Sequence, residues 1–180
     1  MKTRVAYYSH SGNNRVLASK LAAGLGAELE EIRPACGAFF FQLLFTAFGH
    51  GPGVYGKDSA GDAVESLVLV APLWMGSVGW PARAYLRSRA KGARLVHVVT
   101  CCGSNDAGKD DQFGYEPAFA KFRVLLGTRA GTFQSLPSVL VLPEDKRAGE
   151  DAAMTARLTE DSFTGEIADR LSRIISRIKG

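Results

Sequence analysis

Ser9-His10-Ser11-Gly12-Asn13-Asn14 lies between two stretches of different periodicity. Before it, Val5-Ala6-Tyr7-Tyr8 is a short apolar run that reads as a buried strand. After it, Leu17, Ala18, Leu21, Ala22 and Leu25 recur at helical spacing. Strand, small polar loop and helix, in that order, form a junction suited to holding phosphate. The first backbone N–H groups of such a helix have no intrahelical partner, and the aligned peptide dipoles favour an anion beside them. Ser9, Ser11, Asn13 and Asn14 add side-chain donors, and Gly12 permits close approach of the backbone.

The loop has no Gly-Lys-Ser/Thr, so it is not a Walker loop, and it has too few glycines for a Rossmann loop. Lacking the lysine and metal-binding equipment of an NTPase, it fits a phosphate monoester held by neutral hydrogen bonds. The structural alternative is a polar turn that only caps a helix.

At 180 residues, with 46% hydrophobic and 22% charged residues, the chain has the length for one well-buried core. A single domain spanning residues 1–180 is expected. The N-terminal residues lead into a strand-length apolar run and not into a signal-peptide core, and no apolar stretch reaches bilayer-spanning length. A soluble cytoplasmic protein is expected. Cys36, Cys101 and Cys102 are an odd number, two of them adjacent, and make a poor disulfide framework. With no CxxC and with His10, His50 and His97 scattered, no metal site is expected. The net charge is +4 and the pI near 9.1. The basic residues are spread along the chain and not massed with aromatics, so no nucleic-acid partner is expected.

Further along, residues 27–32 can form a second strand, stopped at Pro34, and the continuous apolar run 66–71 reads as a central strand covered on both faces, ended by Pro72. A helix starts near Pro81. Residues 95–100 give another buried strand, and a helix starting around Pro117 carries Phe119, Phe122, Leu125 and Leu126 to a stop at Gly127. The apolar run 139–142, ended by Pro143, is expected to be the last strand. Ile167, Leu171, Ile174 and Ile178 mark one stripe of a final helix. Alternating strands and helices imply a parallel sheet with right-handed helical crossovers on both faces. Ligands bind such sheets beyond the carboxyl ends of the strands, where the strand order reverses. The loops 9–14, 72–80 and 101–106 should therefore converge.

In the second loop, Pro72-Leu73-Trp74-Met75-Gly76-Ser77 puts two large polarizable side chains and a glycine where a planar ligand would lie. The bland alternative is packing at the sheet edge. In the third, Cys102-Gly103-Ser104-Asn105-Asp106 offers hydrogen-bonding groups, with Phe113 or Tyr115 a few residues on. The Cys-x5-Arg loop of low-molecular-weight tyrosine phosphatases is absent, since counting on from either cysteine reaches Ala107 or Gly108. The adjacent cysteines read as small buried hydrophobes in preference to a strained vicinal disulfide. Gly51-Pro52-Gly53-Val54-Tyr55-Gly56 matches G-x-G-x-x-G but follows no predicted strand and opens no periodic helix, so it reads as a connector. His97 reads as a packed, neutral strand residue.

The first loop resembles the flavodoxin phosphate loop, Ser/Thr-x-Thr-Gly-Asn-Thr, through Ser9, Ser11, Gly12 and Asn13, with Asn14 where that family usually has threonine. The second resembles the flavodoxin-family segment that supplies a Trp-Gly or Met-Gly pair beside the flavin ring, Met75-Gly76 being the match with Trp74 adjacent. The resemblance spans nearly the whole chain. It implies an α/β, flavodoxin-like fold: a five-stranded parallel sheet of order 2-1-3-4-5 with helices on both faces. It also implies non-covalent FMN, whose phosphate would be bound by Ser9, His10, Ser11, Gly12, Asn13 and Asn14. Pro72, Trp74, Met75 and Gly76 would lie along the ring, and Cys102, Gly103 and Ser104 along its pyrimidine edge. No side chain is given a catalytic role, because the redox chemistry belongs to the flavin N5.

Electron-shuttling flavodoxins are, within the family, strongly acidic. The basic charge of this chain moves the expectation toward an oxidoreductase that passes electrons from NAD(P)H or another donor to a quinone or protein acceptor. The alternative is a non-enzymatic shuttle or partner-binding module on the same fold, with or without flavin. Finally, Phe39-Phe40-Phe41-Gln42-Leu43-Leu44-Phe45-Thr46-Ala47-Phe48 is apolar almost all round. Its polar stripe is so narrow that the helix is expected to be buried on several sides. It would cover the sheet, make a homodimer contact through residues 38–50, or form a greasy lid over the cofactor.

Overall fold

Ser66–Val70 (β5) is buried at every position, as an uninterrupted apolar run must be when both faces of a sheet are covered. In a computed structural model of the chain, which describes residues 2–56, 64–74, 76–103, 114–148 and 150–180, this strand is the centre of the sheet. It pairs in parallel with Thr3–Tyr7 (β1) on one side, Val5 opposite Val68, and with Leu95–Thr100 (β8) on the other, Val68 opposite His97. Glu28–Glu31 (β2) adds outside β1 and Ala130–Ser135 (β9) outside β8. The order β2-β1-β5-β8-β9 is the 2-1-3-4-5 order of the flavodoxin-like fold. Two short antiparallel ribbons accompany the sheet: Arg33–Pro34 (β3) with Val54–Tyr55 (β4), and Leu73–Trp74 (β6) with Ser77–Val78 (β7).

Alternate strand residues feed two cores. On one face Val5, Val68, Val70 and Val99 meet Leu17 and Leu21 of Asn13–Leu25 (α1) and Ile174 and Ile178 of Gly165–Lys179 (α6). On the other, Leu67, Leu69, Val96 and Val98 meet Tyr85 of Trp80–Ser88 (α3) and Phe119 and Phe122 of Tyr115–Leu126 (α4). A buried polar cluster crosses the second core: Arg4 of β1 lies 3.5 Å from Glu30 of β2, and the Tyr85 hydroxyl donates to the same carboxylate at 2.9 Å. Among the described residues no helix is long and apolar enough to cross a membrane, and no group of His, Cys, Asp or Glu is placed to hold a metal ion.

Two expectations are corrected. The fifth strand is Ala130–Ser135, not 139–142, and Ser138–Val141 forms a short 3-10 turn instead. Pro137 and Pro143 bracket that apolar run and deprive it of ladder donors at both ends. Val139 and Leu140 are buried all the same, Leu140 in the core under α6 and Val139 in a small cluster with Ala156 and with Ala152 of the short helix Glu150–Thr155 (α5), while Val141 and Leu142 are partly buried. The true edge strand, Ala-Gly-Thr-Phe-Gln-Ser, is half-buried along its length and has no apolar run to advertise it.

The second correction concerns the phenylalanine-rich helix, Phe39–Phe48 (α2). It forms as expected but faces the other way. Its buried residues are Gln42 and Thr46, while Phe40 and Phe48 are 66% and 70% exposed and Phe39 and Phe41 also face solvent. The polar stripe is held by the core. Tyr8 donates its hydroxyl to Gln42 Oε1, Gln42 Nε2 donates to the Cys36 carbonyl at 3.0 Å, and the Trp80 N–H donates to Thr46 Oγ1 at 2.8 Å. At the C-terminal end Arg83 donates to the Thr46 carbonyl at 2.5 Å and Arg87 to that of Gly49 at 3.2 Å, placing two cations where the helix dipole favours them. Of the aromatic face, Phe45 reaches the core as a partly buried residue.

This inversion has a measurable consequence. Gln42→Leu makes α2 more hydrophobic yet should destabilise the protein by about 1–3 kcal/mol, because the Tyr8 hydroxyl and Cys36 carbonyl lose a buried partner. Phe40→Ser should change stability by no more than about 0.5 kcal/mol. Urea unfolding of the two variants checks the contrast.

His97 sits in β8 with its Nδ1 accepting the Thr132 N–H at 3.1 Å, which requires that nitrogen to be unprotonated. Burial lowers its pKa. The unfolded chain therefore binds this proton more readily than the folded one, and the stability contributed by neutral His97 is lost as pH falls below the ordinary histidine value of about 6.5. Denaturant midpoints should hold above that pH and drop below it, and the drop should shrink in His97→Gln.

Candidate functional site

Because β1, β5 and β8 are neighbours and run parallel, the three segments that leave their carboxyl ends meet at one edge of the sheet. Side chains tie them together there. From the first to the third, Asn14 Oδ1 accepts the Cys101 N–H at 3.0 Å while its Nδ2 donates to the Cys101 carbonyl at 3.2 Å. From the third to the second, the Cys102 thiol donates to the Leu73 carbonyl at 3.5 Å. From the first to the second, the His10 ring meets Trp74 edge-on with centroids 6.3 Å apart.

The phosphate-loop geometry rests on Gly12. It precedes α1 with φ at 94°, in the left-handed region where a side chain is strained, and its carbonyl accepts the N–H groups of Arg15 and Val16. The N–H groups of Asn13 and Asn14 thus come before the first helical bond, at the positive end of the dipole, and the first turn carries no acidic residue. Ser9 Oγ accepts the Gly12 N–H at 3.1 Å and shapes the turn, while His10 and Ser11 are exposed at its tip.

Both asparagine side chains are turned away from that tip. Asn14 is buried against Cys101, as above. Asn13, also buried, donates through Nδ2 to the Ala156 carbonyl at 3.1 Å and accepts the Leu158 N–H at 2.9 Å. An anion here would meet backbone N–H groups and serine hydroxyls, not the two amides. Their partners are more than eighty residues away in sequence, and nothing local in the motif points to them.

The second segment forms the β6–β7 ribbon, with Gly76 in a turn before β7; Met75 lies outside the described residues. Gly76 is buried with φ at 63°, and its carbonyl accepts Lys121 Nζ from α4 at 2.7 Å. Pro72 is buried and its carbonyl accepts the Gly79 N–H at 3.2 Å. A Cβ on Gly79 would come within 3.0 Å of the Trp74 ring, so the glycine makes room for the indole. Trp74 is half-buried and packs edge-on against Tyr8 at 5.7 Å and Phe39 at 5.2 Å, while Phe39 stacks on His10 at 4.0 Å. Four rings, Tyr8 and His10 from the segment after β1, Phe39 from α2 and Trp74 from β6, thus form one aromatic surface beside the anion-favouring helix end.

Of the third segment, Cys102 and Gly103 are half-buried, their carbonyls accepting the Ser138 and Val139 N–H groups at 3.0 and 3.1 Å. Tyr115 donates its hydroxyl to the Cys102 carbonyl at 3.1 Å, so this ring supports the loop from below. Ser104, with Asn105, Asp106 and Phe113, lies outside the described residues. All three cysteines are free thiols, and burial and the neighbouring Cys102 push the Cys101 thiol up, away from reactivity.

Two contributors were missed in the sequence. Phe39 joins the site because α2 is inverted, and Lys121 because α4 passes over the β6–β7 turn. Neither had a signal beyond its residue type. Tyr8 ends an apolar run, a position that by itself signals only a strand.

No protein-family model and no curated protein sequence matches the chain. Solved structures do share its fold. A flavoprotein from Lactobacillus acidophilus, determined in complex with FMN, superposes with a TM-score of 0.60 at 18% identity over 74% of this chain and 92% of that one. The apo form of the flavoprotein from the same organism gives 0.53 at 21%, over 82% and 97%. Oxidised flavodoxin 1 from Bacillus cereus gives 0.52 at 14%, over 99% and 97%. At these identities the likeness is one of fold.

The geometry of the first segment makes a prediction of its own. Asn14→Ala should cost about 1–3 kcal/mol by taking the buried partner from both backbone groups of Cys101. Asn14→Thr, the residue usual at this place in the family the loop resembles, should recover only part of that loss. Chemical denaturation of the two variants measures it.

Proposed function

We propose that the chain binds FMN at this edge and works as a redox protein. The observation that carries the proposal is the juxtaposition of an acid-free helix N-terminus, opened by Gly12 at φ 94°, with the aromatic surface of Trp74, His10, Phe39 and Tyr8. One end suits a phosphate monoester and the other a large planar ring. The donor set fits that ligand: neutral hydroxyls and backbone N–H groups with no carboxylate in the first turn.

When bound, FMN supplies the redox chemistry, taking a hydride or electrons at N5 and passing them on. The protein's part is to hold and shield. The α1 N–H groups with Ser9 and Ser11 would fix the phosphate, and Trp74 would cover part of the ring. Lys121, bonded to the Gly76 carbonyl, would hold Gly76 at the ring edge. Cys102 and Gly103 would border the opposite side. A cation bonded to the turn favours the reduced, anionic form of a nearby ring over the oxidised one.

The net charge of +4 supports an NAD(P)H-dependent oxidoreductase with a quinone or protein acceptor over an acidic electron shuttle. A second reading is a partner-binding module without flavin. It is favoured by the commitment of Asn13 and Asn14 to internal contacts and by the exposed phenylalanines of α2.

Colour and titration separate the two. Purified protein should carry flavin absorbance or regain it on titration with FMN. Colourless protein that takes up no added FMN would sink the proposal. Gly12→Asp, which sets a carboxylate against the phosphate and strains the backbone, should weaken FMN binding about a hundredfold or more while circular dichroism stays native. NADPH consumption with a quinone present then distinguishes a reductase from a shuttle.

A further inference from the structure

Between α3 and α4, beside Ser77 and Val78 of the β6–β7 ribbon, lies a cavity of about 180 Å³. Three cations line it, Arg83 and Arg87 from α3 and Lys121 from α4, with Ser77 at its edge and Phe122 among its apolar walls. No carboxylate lines it, and none of the three cations has an ion-pair partner among the described residues.

Their present bonds leave most of their capacity unused. Arg83 donates to the Thr46 and Phe45 carbonyls, Arg87 to that of Gly49 and Lys121 to that of Gly76. A guanidinium has five donor hydrogens and an ammonium three. Arg83 Nε is buried with no hydrogen-bond partner. Capping the α2 carbonyls accounts for both arginines at that helix end. It does not account for the lysine that shares their open space, where the three like charges repel one another. Both burial and the nearby Arg87 weigh against the charged form of Arg83, the disfavour that a bound anion relieves. A space that holds several waters, at roughly 30 Å³ each, also takes a phosphate or diphosphate group.

We propose that this cavity binds the phosphate or diphosphate of a nucleotide substrate, held by Arg83, Arg87 and Lys121. Lys121 joins it to Gly76, at the ribbon that ends the second segment of the proposed flavin site. The anion site stands on its own lining residues. Its assignment to a dinucleotide reductant rests on the flavin reading above.

Calorimetric titration of the full chain with inorganic pyrophosphate at low ionic strength tests it. Saturable binding that weakens with added salt is expected. Lys121→Glu and Arg87→Glu should each weaken it about tenfold or more, and Lys121→Arg should retain it. Gly12→Asp should leave it unchanged, because that variant disables only the first loop. Thermal melts of each variant establish that it is folded, and Arg87→Gln gives a milder second probe of the same cation.

The absence of saturable binding, indifference to both charge reversals, or loss in Gly12→Asp alone would overturn the site. NADPH and NADH are then titrated in turn. A loss of affinity for NADPH only in Lys121→Glu assigns the site to the 2′-phosphate, and a loss for both assigns it to the shared diphosphate. Unchanged affinity for both nucleotides, with pyrophosphate binding lost, would overturn the nucleotide assignment. Protein that binds pyrophosphate here but never binds FMN would retain this site and lose the flavin reading.

Discussion

Parallel pairing of three strands that are buried on both faces is the constraint on which the rest of the molecule depends. β1, β5 and β8 exclude water above and below and leave their polar backbone groups only to neighbouring strands, to one another and to the flanking β2 and β9. Parallel pairing then forces each connection to cross over the sheet, and every strand delivers its carboxyl end to the same edge. The three segments at that edge are neighbours because of this order, not because of any attraction between them. Short polar contacts then lock them in place, Asn14 with Cys101, Cys102 with Leu73, and Lys121 with Gly76.

The same economy explains α2. Seen alone, its phenylalanines should seek the core, since burying apolar area is the largest favourable term in folding. The sheet face beside it is already filled by Tyr85, Leu86, Phe119 and Phe122. What remains unsatisfied at that position is polar: the Tyr8 hydroxyl, the Cys36 carbonyl and the Trp80 N–H. A buried donor or acceptor without a partner costs about as much as burying one aliphatic side chain returns. Gln42 and Thr46 answer that need, and two arginines fix the helix end. The exposed aromatic face is the result, and its first residue, Phe39, becomes part of the ring cluster at the site.

Charge is distributed unevenly around this edge. The helix end that favours an anion has no acid in its first turn, and among the described residues the cavity beside the β6–β7 ribbon has three cations and no acid in its lining. Buried charge elsewhere is compensated, as Arg4 is by Glu30 with Tyr85 bonded to the same carboxylate. Uncompensated positive charge next to the ribbon is therefore a local property and not a reflection of net charge. It favours phosphate-bearing or other anionic molecules near Lys121 and Gly76.

The sequence by itself determined the layered α/β architecture, the four inner and outer strands that carry apolar or alternating runs, and the glycine turn that opens α1. Those follow from periodicity and local stereochemistry, which a short window contains. Tertiary structure alone decided the edge strand Ala130–Ser135, whose half-buried residues carry no apolar run, and the fate of residues 139–142, of which Val139 and Leu140 are buried without being a strand. It also decided where Asn13 and Asn14 point, since their partners Ala156, Leu158 and Cys101 are distant in the chain. The facing of α2 and the gathering of Arg83, Arg87 and Lys121 belong to the same class. Each depends on which polar groups and charges the other elements leave unmet, and that balance exists only once the sheet has assembled.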